Sequence, residues 1–303
     1  MSGSAPSKPR LSIVIASCVG PPFISRCLES IDRQRHAADV EVIVVDRAGG
    51  EVAAGIRRDY SWARLIDAPA GTSIPDLRRA GVLEATADFV AIIEEHCVAR
   101  NDWIATILRC TRSDAAAWGG PVSHADYDRR TDWAMYFTEY NVYMPPFERG
   151  PANDICAVNC VYRRDVLLRH LPPPGGGFWE AGLNRSLAAA GERIVAEPEM
   201  VVYKTGPFSL GYYLRQRYLV SRAFAGDRRR TASPLFVLAY LILAPIVPPV
   251  LLWRIGRRVR AKKARFDRFL RALPVLVPVS IAYVWGEWVG LLLGPGRSWE
   301  RIE

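Results

Sequence analysis

The sequence predicts an α/β chain: a doubly wound, mostly parallel sheet over residues 11–230, followed by hydrophobic membrane-associated helices. Three observations carry this. Apolar runs too short for helices, such as Phe89–Ile93, suit strands buried on both faces of a parallel sheet. Between such runs, apolar residues recur at helical spacing, as with Phe23, Ile24, Cys27, Leu28 and Ile31. Beyond residue 230 the chain turns apolar over two long stretches.

Leu11–Ala16 is the first strand. Ser17–Gly20 make a turn and Pro21-Pro22 open a helix, where a missing N–H has no helical partner to lose. Val40–Val45 form the next strand and end in Asp46. Ala63–Ile66 form a third strand, which leads through Gly71 into a helix over Ile74–Ala85. The Phe89–Ile93 strand and a helix over Trp103–Arg112 follow. Strands and helices alternating in this way make a parallel sheet by the right-handed crossover rule. Ala117–Val122 read as a strand and turn, Ala157–Tyr162 as a strand, Arg163-Arg164-Asp165 as a helix start, and Pro172–Gly177 as a flexible hinge. The next helix, from about Gly182, sets Leu183, Leu187 and Ala190 on one stripe and stops at Gly191. A further helix spans Leu210–Ala225.

The 303 residues are 50% hydrophobic, enough for one large core or two modest ones. Six cysteines (Cys18, Cys27, Cys97, Cys110, Cys156, Cys160) form no C-x-x-C pair, which argues for reduced thiols in a cytoplasmic setting. Met1–Arg10 has no apolar core, so a loose tail and no signal peptide is expected. The net charge of +9 suggests nucleic acid until it is located. Residues 231–303 hold 11 Lys/Arg against 4 acids, whereas residues 1–230 hold 29 against 27. The excess lies between the apolar runs, which points to anionic lipid and away from nucleic acid.

In open α/β sheets, ligands bind beyond the carboxyl ends of the strands. There Phe89–Ile93 gives way to Glu94, Glu95 and His96, which suit either a divalent cation carrying phosphates or a polar turn after a core strand. Asp46 can accept hydrogen bonds from a base or ribose, or merely cap a turn. Arg78 and Arg79 sit near a helix start, where the dipole favours anions; they suit a diphosphate, with a solvated face favoured for Arg79. The segment Ser123–Asp154 holds Tyr127, Trp133, Tyr136, Phe137, Tyr140 and Tyr143. It fits a mobile lid or a sugar-stacking acceptor platform, with core or membrane-surface packing equally open.

Taken in order, these stretches resemble a family 2 glycosyltransferase with the GT-A, nucleotide-sugar-binding fold. The resemblance rests on LSIVIAS followed by RCLESI, on VEVIVVD, on DLRRAGVLEATADFVAIIEEHC and on WEAGLNRSLAAAGERIVAEPEMVVY, and covers about Leu11–Ala225. It implies inverting transfer of a sugar from a nucleotide-diphosphate donor to a hydroxyl of a lipid-linked or polysaccharide acceptor. On this resemblance Asp46 reads the nucleotide, and Arg78 stands for the arginine of an A-R-N-x-G stretch whose asparagine is Arg79 here. Glu94, Glu95 and His96 occupy the D-x-D place. Asp46, Arg78, Glu94 and Glu95 are thereby donor-binding candidates and Glu94 and His96 metal ligands, while Glu95, in the middle, need not ligate. A histidine at the metal position favours Mn²⁺ over Mg²⁺, because hard Mg²⁺ prefers oxygen. The family's catalytic base is the second acid of an E-D pair; Glu180 matches it, and Trp179 replaces the first acid. A carboxylate in a partly apolar setting suits proton abstraction; the alternative for Glu180 is a helix-start acid favoured by the dipole. Tyr203-Lys204 stand where many relatives have a histidine, and Lys204 can contact a phosphate or be solvated. Gln216–Arg222 does not match the Q-x-x-R-W motif of processive relatives.

Thr231–Trp253 has 23 residues without a charge, about 34 Å as a helix, enough for the ~30 Å bilayer core. Ala272–Gly296 is interrupted only by Glu287, and nine Lys/Arg lie between Arg254 and Arg271. Trp253, Trp285 and Trp288 near the run ends complete the case for membrane attachment. Pro245, Pro248, Pro249, Pro274 and Pro278 predict kinked or re-entrant segments. The expected organisation is a tail (1–10), a GT-A domain (11–230) and a membrane-associated region (231–303) with a polybasic loop (254–271). The expected location is the inner (cytoplasmic) membrane with the catalytic domain in the cytoplasm. The first apolar run is expected as a hairpin keeping both basic flanks inside, against two full crossings. The altered D-x-D and lost first acid leave an alternative function: a catalytically silent glycosyltransferase-like membrane partner of a polysaccharide or glycolipid assembly system.

Overall fold

The computed structural model describes residues 8–36, 38–125, 128–172 and 180–303, the side chains of Glu180 and Ala181 excepted. Most of the expected tail and hinge, together with Tyr127 and Trp179, lie outside the described residues. The chain forms two compact units, one of residues 1–123 with 143–205 and one of residues 124–142 with 206–303. Segment 124–142 packs with the carboxyl-terminal residues 206–303.

The first unit opens with β1 (Leu11–Ser17), α1 (Phe23–Arg35), β2 (Val40–Asp46), α2 (Gly50–Asp59), β3 (Arg64–Asp67), α3 (Ile74–Glu84) and β4 (Phe89–Glu94). Helix α2 falls in a stretch given no element from the sequence. These strands pair in parallel in the order β3-β2-β1-β4. β1 is buried along its whole length, as its apolar run requires. In-register pairing sets Ser17 beside Asp46 and Ala16 beside Glu94, so both acids flank the carboxyl end of β1. α3 lies tightly on the sheet through Gly81: a Cβ there would stand 2.4 Å from a methyl of Val14.

The chain continues through β5 (Cys97–Ala99), α4 (Trp103–Cys110), β6 (Ala117–Gly119) and β7 (Val122–His124). After α5 (Arg130–Tyr140) come β8 (Gly150–Pro151), β9 (Asn159–Arg163), α6 (Arg164–His170), α7 (Glu180–Ala189), β10 (Ile194–Ala196) and β11 (Val202–Lys204). The large sheet runs β3-β2-β1-β4-β9-β6-β10-β8, and a small one β5-β11-β7. β9 is antiparallel to both β4 and β6, so the sheet is mostly rather than wholly parallel. Its core joins Val14, Ile43, Val45, Val90 and Ile92 of the sheet to Leu77 and Val82 of α3 and Leu183 and Leu187 of α7. Full burial of each such side chain contributes roughly 1.5–3 kcal/mol.

The second unit holds α5 with α8 (Leu210–Arg228), α9 (Pro234–Leu243), α10 (Val247–Ala261), α11 (Phe266–Leu293) and α12 (Ser298–Arg301). α8 and α11 approach closely through small residues. A Cβ on Gly286 would lie 2.1 Å from Ser221 Oγ, and one on Gly290 would lie 2.4 Å from the Arg222 carbonyl. Glu287, between those glycines, is buried and accepts from Arg228 at 2.7 Å and from the Tyr283 hydroxyl at 3.1 Å. α5 corrects the lid and platform expectations: Trp133, Tyr136, Phe137 and Tyr140 are buried, and Phe137 meets Phe269 of α11 edge-on at 5.7 Å. These aromatics fill this unit's core because an eleven-residue helix nearly devoid of exposed apolar area needs a partner for every face.

Pro234–Ala261 and Phe266–Leu293 are each long and apolar enough to cross a membrane. Pro245 sits in one 3₁₀ turn between α9 and α10, within the single helical stretch Pro234–Ala261. α11, by contrast, stays helical through Pro274 and Pro278.

Candidate active site

Glu94 leaves the carboxyl end of β4 between two cations. Arg78 Nη2 donates to Glu94 Oε1 at 2.6 Å, and Lys204 Nζ lies 3.7 Å from Oε2. Arg78 is carried by α3, whose start is set by Ser73: its Oγ accepts from the Asp76 amide at 3.3 Å. Lys204 is the last residue of β11, which pairs it with Cys97, just beyond the acidic triplet. The Arg78 and Lys204 side chains are 3% and 8% exposed and that of Glu94 is 21% exposed. Lys204 is therefore a member of the site and not a solvated surface lysine. One carboxylate against two guanidinium or ammonium groups leaves a positive balance that suits an anionic diphosphate.

Glu95 turns the other way. Its Oε1 accepts from the amides of Cys18 and Val19 at 2.8 and 3.0 Å, and its Oε2 from the Gly20 amide at 3.1 Å. This locks the turn between β1 and α1, and the side chain is buried. Burial raises its pKa to about 7 against those three donors, which lower it. Glu95 is expected from sequence to contact the donor; in the structure both its oxygens are engaged in the turn. His96 is buried too, with its ring 4.5 Å from that of Phe23. Burial first, then Lys204, holds its imidazole well below the usual range, so it is neutral. Its carbonyl accepts from the Thr205 amide and hydroxyl, both at 2.8 Å.

Asp46 is buried, accepting from Ser17 Oγ at 2.6 Å and from the Gly49 amide at 2.7 Å. It therefore caps its own loop at the strand end. Arg79 is not simply solvated: its Nε donates to the Pro172 carbonyl at 3.1 Å. Glu180 is the first residue of α7. That helix is anchored one turn on by Asn184, fully buried, which donates to Asp154 at 2.6 Å and to the Ile155 carbonyl at 3.0 Å and accepts from the Tyr162 hydroxyl at 3.1 Å. Sequence reasoning missed Asn184 and Ser17. Asn184 gave one signal, a polar residue beside Leu183 on the apolar stripe.

The resemblance implies a divalent metal on Glu94 and His96, and the donors present do not fit one. Glu94 is held by two cations, Glu95 by turn amides, and His96 packs on Phe23. Among the described residues no group of three His, Cys, Asp or Glu side chains is placed to hold a metal ion.

A mostly parallel sheet with a charged cluster at its strand ends defines a nucleotide-binding class of α/β enzyme. The sequence profile of Glycosyl transferase family 2 matches residues 12–171, more than half of the chain, and the chain belongs to that family. It is a glycosyltransferase with the GT-A fold. Among solved structures it is similar to mannosyltransferase PcManGT from Pyrobaculum calidifontis, in complex with GDP-Man and Mn²⁺. That likeness has 17% identity, covers 95% of this chain and 88% of that one, and has a TM-score of 0.53. TarS 1–349 from S. aureus aligns at 14% identity over 92% of this chain and 90% of that one, with a TM-score of 0.49. No curated protein sequence matches the chain.

Proposed function

We propose that the chain transfers a glycosyl group from a nucleoside-diphosphate sugar to a hydroxyl of a lipid-linked or glycan acceptor, with inversion. The observation that carries this is the pairing of Glu94 with Arg78 and Lys204 at the carboxyl end of β4. The acceptor oxygen attacks the anomeric carbon from the face opposite the diphosphate. Glu180 takes the acceptor's proton as the bond forms. Arg78 and Lys204 meet the charge that accumulates on the leaving diphosphate, and Asp46 shapes the loop beside the nucleotide. The donors at the D-x-D place do not fit the Mn²⁺ that the resemblance implies, so no step is assigned to a metal.

The test is release of nucleoside diphosphate and formation of glycosylated product when the full chain meets UDP- and GDP-sugars with a lipid-linked acceptor. No nucleotide binding with any donor, with or without Mn²⁺, would sink the proposal. The same poor metal fit favours a second reading, a catalytically silent membrane partner; donor binding without turnover on any acceptor would support it.

Attachment to the inner membrane with the catalytic unit in the cytoplasm is part of this reading; the two apolar helical stretches support the attachment. Cysteine at Lys262, in a background without the native cysteines, tests the arrangement. Labelling from outside by an impermeant thiol reagent would establish two crossings, and protection supports a hairpin that keeps the basic segment inside.

A further inference from the structure

The second unit carries a partly open cavity of about 260 Å³ lined by Asp128, Arg130, Trp133, Arg268 and Arg271. Arg130 and Trp133 stand one turn apart at the start of α5, and Arg268 and Arg271 one turn apart at the start of α11. Trp133 is itself buried, its ring stacked on His124 at 3.8 Å. The guanidinium carbons of Arg265 and Arg268 lie 5.7 and 5.9 Å from the centre of the Trp133 ring, within cation–π reach. Three arginines line the cavity against one lining carboxylate, Asp128, which is paired with Arg268; Arg268 Nε also lies 3.5 Å from Asp267, just outside the lining. The lining keeps a positive balance.

What lies beyond the arginines narrows the ligand. α11 becomes apolar directly after Arg271. Leu270, Val277, Ile281 and Trp285 are 50%, 44%, 56% and 57% exposed, and their spacing puts them along one side of the helix. α11 thus carries part of the cationic cavity at its start and an uncovered apolar strip further along, and it is long enough to cross a bilayer.

We propose that this cavity seats the phosphate of an anionic membrane lipid. The inference rests on the membrane attachment proposed above. Planar guanidinium forks match phosphate oxygens in pairs, as an ammonium does not. Tryptophan is favoured at headgroup level, and basic pockets beside membrane helices are suited to anionic headgroups. The volume falls below the roughly 300–1,000 Å³ of pockets that bury drug-sized ligands, so it fits a compact headgroup.

The experiment uses the full chain in neutral detergent micelles, melted alone, with phosphatidylcholine, with phosphatidylglycerol, or with inorganic phosphate at equal concentration. Phosphatidylglycerol should raise Tm by several degrees, with little effect from phosphatidylcholine or phosphate, because a ligand that binds only the folded state stabilises it. Arg268→Gln with Arg271→Gln should remove most of that rise, whereas the charge-matched pair Arg254→Gln with Arg257→Gln should keep it. Equal loss in the two pairs would mean diffuse attraction and overturn the proposal. So would an equal rise with phosphatidylcholine, or the whole rise with phosphate alone. Arg271→Lys, which keeps the charge and loses the fork, guards against a misfolded double variant: it should at least halve the rise, and an unchanged rise counts against the cavity. Flotation with phosphatidylcholine vesicles tests attachment separately. No association with any vesicle fails both proposals, and association without lipid-selective stabilisation fails only this one.

Discussion

Arg78 of α3 reaches Glu94 at the end of β4 across 2.6 Å, with only 3% of the guanidinium side chain exposed. Burying such a pair carries a desolvation cost that its own attraction only partly offsets. A structure that adds Lys204 to the same carboxylate is poorly explained by stability alone. The excess cation makes sense where a more highly charged anion is to bind.

Donor binding should therefore need no metal. By calorimetry, the affinity for GDP or UDP should change less than about threefold between EDTA and Mn²⁺. Lys204→Met should weaken it about 10–100-fold, the equivalent of losing a charge-assisted hydrogen bond of roughly 1.5–3 kcal/mol. Tenfold or greater tightening by Mn²⁺ would restore a metal to the site.

Glu180→Gln keeps the side chain's shape and removes its basicity. Turnover should fall by about two orders of magnitude or more, with the donor affinity within twofold of the parent. Near-normal turnover would remove Glu180 from the mechanism.

Glu95 should make stability pH-dependent. Its folded pKa, raised by burial to about 7 from an ordinary 4.5, means the folded chain holds this proton more tightly than the unfolded chain. Its contribution is fully present below pH 4.5 and is lost as pH rises through about 7. Urea midpoints followed by tryptophan fluorescence should fall over that window in the parent. In Glu95→Gln they should be lower at acid pH, because an amide NH₂ would face turn amides, but the fall should be gone. A parallel slope in both proteins would show that another group titrates.

Arg228 and Glu287 should behave as a coupled pair in the second unit. Arg228→Leu leaves a buried carboxylate without its cation and should cost about 2 kcal/mol. Arg228→Leu with Glu287→Leu should recover most of that loss. Additive losses in detergent melts would show the two side chains to be independent.

The sequence alone determined what local periodicity can encode. Short apolar runs marked Leu11–Ala16, Val40–Val45 and Phe89–Ile93 as strands, and 3.6-residue spacing marked helices between them. It also placed acids at the strand ends and an uncharged run after Arg230, because charge cannot continue into a buried or lipid-facing run. Tertiary structure alone decided which partners each of Glu94, Glu95 and His96 meets. Adjacent residues past a strand end point in directions set by the turn they meet, here the amides of Cys18, Val19 and Gly20. It likewise decided that β9 runs antiparallel, since a hydrophobic run carries no direction, and that the aromatics of α5 are core. Lys204 was visible as a residue, but its place beside Glu94 depends on a strand pairing made far along the chain. Periodicity is a property of neighbours in sequence, whereas the charge balance of this site is a property of neighbours in space.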